Sequence, residues 1–193
     1  FGMFVRKAFP AASDAELLSR VELGYAMLLT LRGVPTIYAG DEQGFAGLGG
    51  DQDARQDMFA SKVASYNAEK LIGTSATTAT ASFNPAHPLY QAIARLAHIR
   101  TASPALTRGL QQIRVASEKP GLFAISRFAP DSGAETLLLF NTSTSPIAQN
   151  VTVETRSNAF TAAIGSCPTA ASAPGSVRVT LPGLGYAVCH VAR

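Results

Sequence analysis

The chain has 193 residues, 47% of them hydrophobic and 15% charged, and a formal net charge of +3. That is enough apolar material for a sizeable core, in one domain or two small ones. The basic residues are scattered (Arg6, Lys7, Arg20, Arg32, Arg55, Arg95, Arg100, Arg108), which argues against a nucleic-acid partner. The longest apolar run, around residues 26–31, stops at Arg32, so no membrane partner is expected.

Position 1 is Phe and not Met, so the sequence reads as part of a longer chain, and the lack of a signal peptide says nothing of the parent's address. Ser13-Asp14-Ala15-Glu16 forms a capping box, and Leu17, Leu18, Val21, Tyr25, Leu28 and Leu29 then fit one helical face, which Gly33 ends. Val34-Pro35-Thr36-Ile37-Tyr38-Ala39 predicts a fully buried strand with Pro35 near its start, where no ladder donor is lost. Residues 40–50 hold five glycines and two acids, a long loop directly after that strand. Residues 56–70 read as weakly helical and 73–86, rich in Ser, Thr and Ala, as an irregular connection. Pro88 opens a second helix carrying Leu89, Ile93, Leu96 and Ile99 or Arg100, and Ser103-Pro104 closes it.

Beyond Pro104 the pattern changes to short alternating segments. Strands are expected near 111–116, 121–128, 135–141, 148–155, 158–164, 176–181 and 185–192, separated by Pro- and Gly-containing turns. Such spacing predicts an antiparallel β-sandwich. The first half is a different object. One buried strand between two helices cannot satisfy its own backbone groups, so it needs parallel neighbours that this sequence does not supply. Cys167 and Cys189 are either two separate buried thiols or one disulfide pinning a loop to the last strand, and the disulfide implies an oxidising, extracytoplasmic address, periplasmic or secreted. Neither has metal-ligand spacing.

The run Gly33 to Glu42 (Gly-Val-Pro-Thr-Ile-Tyr-Ala-Gly-Asp-Glu) resembles the eighth-strand motif of the alpha-amylase family. Asp51-Gln52-Asp53-Ala54-Arg55 with Met58, then Leu89-Tyr90 to Arg100 with Ser103-Pro104-Ala105-Leu106, and finally Leu184-Gly185-Tyr186-Ala187-Val188, resemble later stretches of that family in the same order. The resemblance implies an α+β fragment. Residues 1–104 would be the last part of a (β/α)8 catalytic barrel (helix 7, strand 8, helix 8), and 105–193 a β-sandwich domain C. It further implies the C-terminal portion of an alpha-glucan-acting, retaining glycoside hydrolase whose nucleophile and acid lie upstream, so that this chain alone is inactive. Two departures, Ala39 for a Tyr and Gln52 for a Pro, leave room for a transglycosylase or disaccharide-converting enzyme of the same family. A non-enzymatic carbohydrate-binding module is a third reading.

The candidate residues each carry two readings. Asp51 and Arg55 are a local i, i+4 ion pair or, by resemblance, sugar-binding groups, with Asp53 able to stand in for Asp51. Glu42 is a solvated loop acid or a support of the barrel mouth, and Tyr38 is core or such a support. Asp41 and Glu42 are adjacent and point apart, so they do not make the convergent carboxylate pair that cleavage needs. Phe45 either packs the loop or stacks on sugar. His87 suits a helix cap. No catalytic residue, metal site or cofactor is expected in this chain, although the parent could hold calcium. The implied partners are an oligosaccharide or alpha-glucan, the upstream half of the barrel, and other copies of the fragment through its uncovered apolar faces.

Overall fold

The computed structural model describes residues 1–47, 49–50, 52–53 and 55–192. It contains helices α1 (Gly2–Ala8), α2 (Asp14–Thr30), α3 (Ala64–Asn67), α4 (Pro88–Ala102) and α5 (Pro104–Arg108), and a 3-10 turn at Asp41–Gln43. Eight strands follow: β1 (Leu110–Val115), β2 (Leu122–Phe128), β3 (Glu135–Asn141), β4 (Ile147–Thr152), β5 (Phe160–Ile164), β6 (Ala171–Ala173), β7 (Ser176–Leu181) and β8 (Tyr186–Val191). The chain divides into two compact units, Phe1–Tyr25 with Val34–Leu96, and Ala26–Gly33 with Ala97–Arg193.

In the first unit the Glu16 amide donates to the Ser13 hydroxyl at 3.2 Å, satisfying one orphan donor of α2. The reciprocal half of the box is not made, because the Glu16 carboxylate pairs with Arg20 at 2.7 Å one turn on. Leu17, Val21 and Tyr25 are buried as the spacing predicts. Helix α4 is capped by a histidine: the Leu89 amide donates to His87 Nδ1 at 3.1 Å, which places the ring proton on Nε2. Leu89, Ala92 and Leu96 form its buried stripe, so Ala92 and not Ile93 carries the inner face.

Burial lowers the pKa of His87 below its ordinary value near 6.5, against smaller upward pulls from the Ile72 backbone and Glu42. Burial lowers His190 likewise. In each case the unfolded chain takes up a proton first as pH falls, so folding stability is full above about pH 6.5 and declines below it. The denaturation midpoint is therefore expected to fall between pH 7 and pH 5, and H87N, which keeps a capping acceptor, should flatten that decline.

The sequence reading needs correction at residues 34–39. No strand forms there: the segment joins no ladder among the described residues, and Val34 is 92% exposed. A strand exists only through a ladder, and this chain supplies no neighbour for it. The expected helix over 56–70 shrinks to α3. The short α1, which carries no capping signal, and the three-residue β6 were not anticipated by pattern.

The second unit holds a five-stranded sheet, in the order β1-β2-β3-β8-β5, and a three-stranded sheet, β4-β7-β6, with every pairing antiparallel. Both contribute to one core, in which Leu137 and Leu139 of β3 meet Val177, Val179 and Leu181 of β7. Along β7 these alternate with Ser176, Arg178 and Thr180, the period of a strand buried on one face. β3 is buried along its whole length, as a central strand covered on both faces is. Cys189 of β8 and Cys167 form a disulfide with Cα atoms 5.6 Å apart, closing a separation of 22 residues. Reduction should release about 3 kcal/mol of stability, read as a shift in chemical denaturation with and without reductant.

Candidate functional site

A pocket of about 670 Å³ opens in the first unit. Phe4 and Lys7 of α1 form one side, Tyr38 and Asp41 another, and Arg55 and Gln56 a third. The wall at residues 38–46 is shaped by backbone geometry. Gly40 and Gly44 take φ of +92° and +75°, values that favour glycine, on either side of the 3-10 turn. The Asp41 amide donates to Tyr38 O at 3.0 Å and the Phe45 amide to Gly40 O at 3.1 Å, folding the segment into a tight knuckle.

Polar side chains fix this knuckle. Asp41 Oδ2 accepts from the Tyr38 amide at 3.3 Å, and Glu42 Oε2 accepts from the Gly40 amide at 3.1 Å. Glu42 thus serves its own loop, while Asp41 also accepts from the Phe1 terminal ammonium through Oδ1 at 3.0 Å. Behind them lies Tyr25, only 2% exposed. Burial, then the Asp41 and Glu42 carboxylates, drive its ionisation far upward, so its hydroxyl stays protonated. Gln43, also 2% exposed, holds the knuckle to another stretch of the unit: its Nε2 donates to Asn84 O at 3.1 Å and its Oε1 accepts from the Asn84 amide at 3.0 Å. A backbone bond from the Ile72 amide to Gly44 O, 2.8 Å long, adds a third tie.

The glycine loop is held from α1. Lys7 Nζ donates to Gly49 O at 2.8 Å, and the Gly50 amide donates to Asp53 Oδ2 at 3.2 Å. Asp53 thereby turns back onto its own loop. Asp51 lies outside the described residues. Arg55 lines the pocket, as does Phe45, although Phe45 is 91% covered and packs the loop. Tyr38 is not core: it is exposed and faces the pocket. Sequence reasoning missed Lys7, Gln43, Gln56 and Tyr25. Tyr25 had a signal only as one member of an apolar stripe, and the others had none: Lys7 and Gln43 act through partners 42 and 41 residues away, and Gln56 enters only as pocket lining.

Within the second unit a separate polar network forms. Arg114 donates to the buried Glu135 at 3.2 Å and to Glu154 at 2.9 Å, Ser126 donates to Glu135, and the Glu154 amide donates to Glu135 Oε2 at 3.0 Å. Every partner of the buried carboxylate is internal, which is the pattern of a satisfied structural charge.

The chain is similar to one part of proteins of the alpha-amylase family of glycoside hydrolases. It is 40% identical, over 95% of its length, to an alpha-amylase of Streptomyces lividans, and spans 18% of that protein. No family model matches it. Its fold matches 33% of an Anoxybacillus alpha-amylase over 91% of this chain (TM-score 0.65, 17% identity). It also matches 32% of a cyclomaltodextrin glucanotransferase over 91% of this chain (TM-score 0.63, 20% identity).

Proposed function

We propose that this chain is the C-terminal portion of an alpha-glucan-acting retaining glycosidase, comprising the last part of a (β/α)8 barrel over residues 1–104 and a β-sandwich domain C over 105–193. The observation that carries this is the 40% identity to an alpha-amylase over nearly the whole chain. Cleavage with retention needs two carboxyl groups about 5–5.5 Å apart, one attacking the anomeric carbon and one protonating the leaving oxygen. Glu42 is held by a loop amide, and Asp41 by a loop amide and the Phe1 ammonium, so these two groups come from the preceding part of the enzyme. This chain's task is binding: Arg55 presents a guanidinium fork to sugar hydroxyls, Asp51 and Asp53 are the acceptors of the same loop, and Tyr38 and Glu42 support the barrel mouth. The disulfide supports an extracytoplasmic address.

The test is reconstitution. The chain alone should release no product from a labelled maltooligosaccharide, and the same chain joined to the preceding barrel should release reducing sugar. Turnover by the chain alone would overturn the division of labour. A second reading, transglycosylation or disaccharide conversion, is left open by Ala39 and Gln52, and oligosaccharide or isomerised disaccharide products would select it. A purely binding role for the β-sheet unit gains little support, because the large aromatics of that unit are not among the exposed hydrophobics.

The uncovered segment at 34–39 has a consequence for the chain on its own. Residues 34–37 join no ladder among the described residues, and Val34 and Tyr38 are exposed, which makes the segment a template for strand addition. We expect concentration-dependent self-association in sedimentation, suppressed by a charge at position 37 (I37K). A monomer at all concentrations would contradict this.

A further inference from the structure

Two phenylalanines outside the pocket stand against each other in water. Phe59 and Phe83 are 69% and 55% exposed, with ring centroids 5.2 Å apart and planes inclined at 65°. Their backbones are not loose. The Ser82 amide donates to Met58 O at 2.7 Å and the Ser61 amide to Thr78 O at 2.8 Å, which zips the two stretches together beneath the rings. The Phe59 amide is also held by Asp57 Oδ1 at 2.8 Å, and Asn84, next to Phe83, is gripped by Gln43. A fixed pair of phenyl rings is an apolar surface ordered before any ligand arrives, so little side-chain entropy remains to be lost on binding.

We propose that Phe59 and Phe83 form a stacking platform that extends the pocket along an alpha-glucan chain, a reading that rests on the glucan-binding role proposed above. Three observations favour sugar as the occupant. The pyranose ring offers an apolar C–H face of phenyl size and hydroxyls at its rim, and the exposed Asp57 carboxylate beside Phe59 is an acceptor for such hydroxyls. The pair carries no charge, which suits a neutral polymer. Finally, Gln56 forms part of the pocket wall and Phe59 is three residues further on, within about 10 Å along an extended backbone, so one ligand can touch both. Units held in the pocket and units lying on the platform then belong to one chain, and the platform makes affinity depend on chain length.

Titration calorimetry of this chain with maltotriose and maltoheptaose tests the proposal. Wild type should prefer maltoheptaose. F59A/F83A should bind maltoheptaose about tenfold more weakly and maltotriose within about twofold of wild type, abolishing the preference. F59Y/F83Y should keep it, and R55A should weaken both ligands. Both rings are exposed, so the alanine variant should fold, as circular dichroism would verify. Four results would overturn the platform: no binding of either sugar by wild type, unchanged maltoheptaose affinity in F59A/F83A, equal loss for both sugars, or a change in sedimentation mass without a change in sugar binding, which would mark an interface between copies. The glucan-acting reading is decided separately by product release from the joined enzyme, so failure here with turnover there removes the platform alone.

Discussion

R127A should destabilise the second unit by about 4 kcal/mol, close to the limit of what a single substitution does without abolishing the fold. Arg127 is 1% exposed and has no carboxylate partner in its hydrogen-bond set. Its guanidinium donates instead to three backbone carbonyls: Thr30 at 2.9 Å, Leu106 at 3.2 Å and Gly109 at 3.1 Å. These are the ends of α2 and α5, where carbonyls lack intrahelical donors and the helix dipole is negative. Removing the side chain leaves three acceptors buried without a donor, at about 1–3 kcal/mol each before relaxation, together with a cavity. Arg100 reinforces the same end of α2, donating to Leu29, Leu31 and Gly33 carbonyls, with the shortest contact 2.6 Å. Burial, then Arg100 and Arg32 nearby, press the Arg127 pKa below the usual arginine range, so the site carries repulsion that the carbonyls offset. R127K should recover only part of the loss, because an ammonium cannot span three divergent carbonyls. Urea denaturation of the three proteins measures this, and an R127A midpoint within error of wild type would refute the capping role.

That residue also shows where sequence reading stops. The capping box at Ser13, the stripe Leu17–Val21–Tyr25 and the alternation of Val177, Val179 and Leu181 were legible because each depends on neighbours within a few positions. Most strands were placed within a residue or two for the same reason; the expected 148–155 overran β4 by three residues, and β6, whose Ala-Ser-Ala has no alternation to read, was missed. Arg127, by contrast, meets a carbonyl 97 residues earlier, and nothing in an arginine within a strand announces that. The segment at 34–39 fails in the opposite direction. Its apolar residues state plainly that it should be buried, yet the partners that would bury it are not in this sequence. In the pocket, Arg55 and Tyr38 were named as candidates through resemblance, while Lys7 and Gln43 act through carbonyls and amides that only the fold brings near. Local pattern therefore recovered the elements, and long-range backbone contacts decided how the site is held.

Gly44 is where those contacts converge, and G44A should both destabilise the first unit and weaken sugar binding. Its φ of +75° costs an alanine about 1–2 kcal/mol by itself. Space is the larger obstacle: a Cβ there would overlap the carbonyl oxygen and crowd the amide of Ile72, and neither is the end of a flexible side chain. The Ile72–Gly44 backbone bond must then lengthen or break, at a further ~1 kcal/mol or more. The total of about 3 kcal/mol corresponds to a fall of roughly 10 °C in Tm for a protein of this size. Because Gly44 closes the knuckle that presents Tyr38 and Asp41 to the pocket, oligosaccharide affinity should drop even well below the melting transition. G33A provides the contrast. Gly33 has positive φ but open space around its Cβ position, so G33A should show a backbone penalty without a clash and no change in binding. If G44A melted lower yet bound maltotriose as wild type does, the knuckle would be a stability element alone, and the pocket's sugar contacts would have to be assigned to α1 and to the loop carrying Arg55.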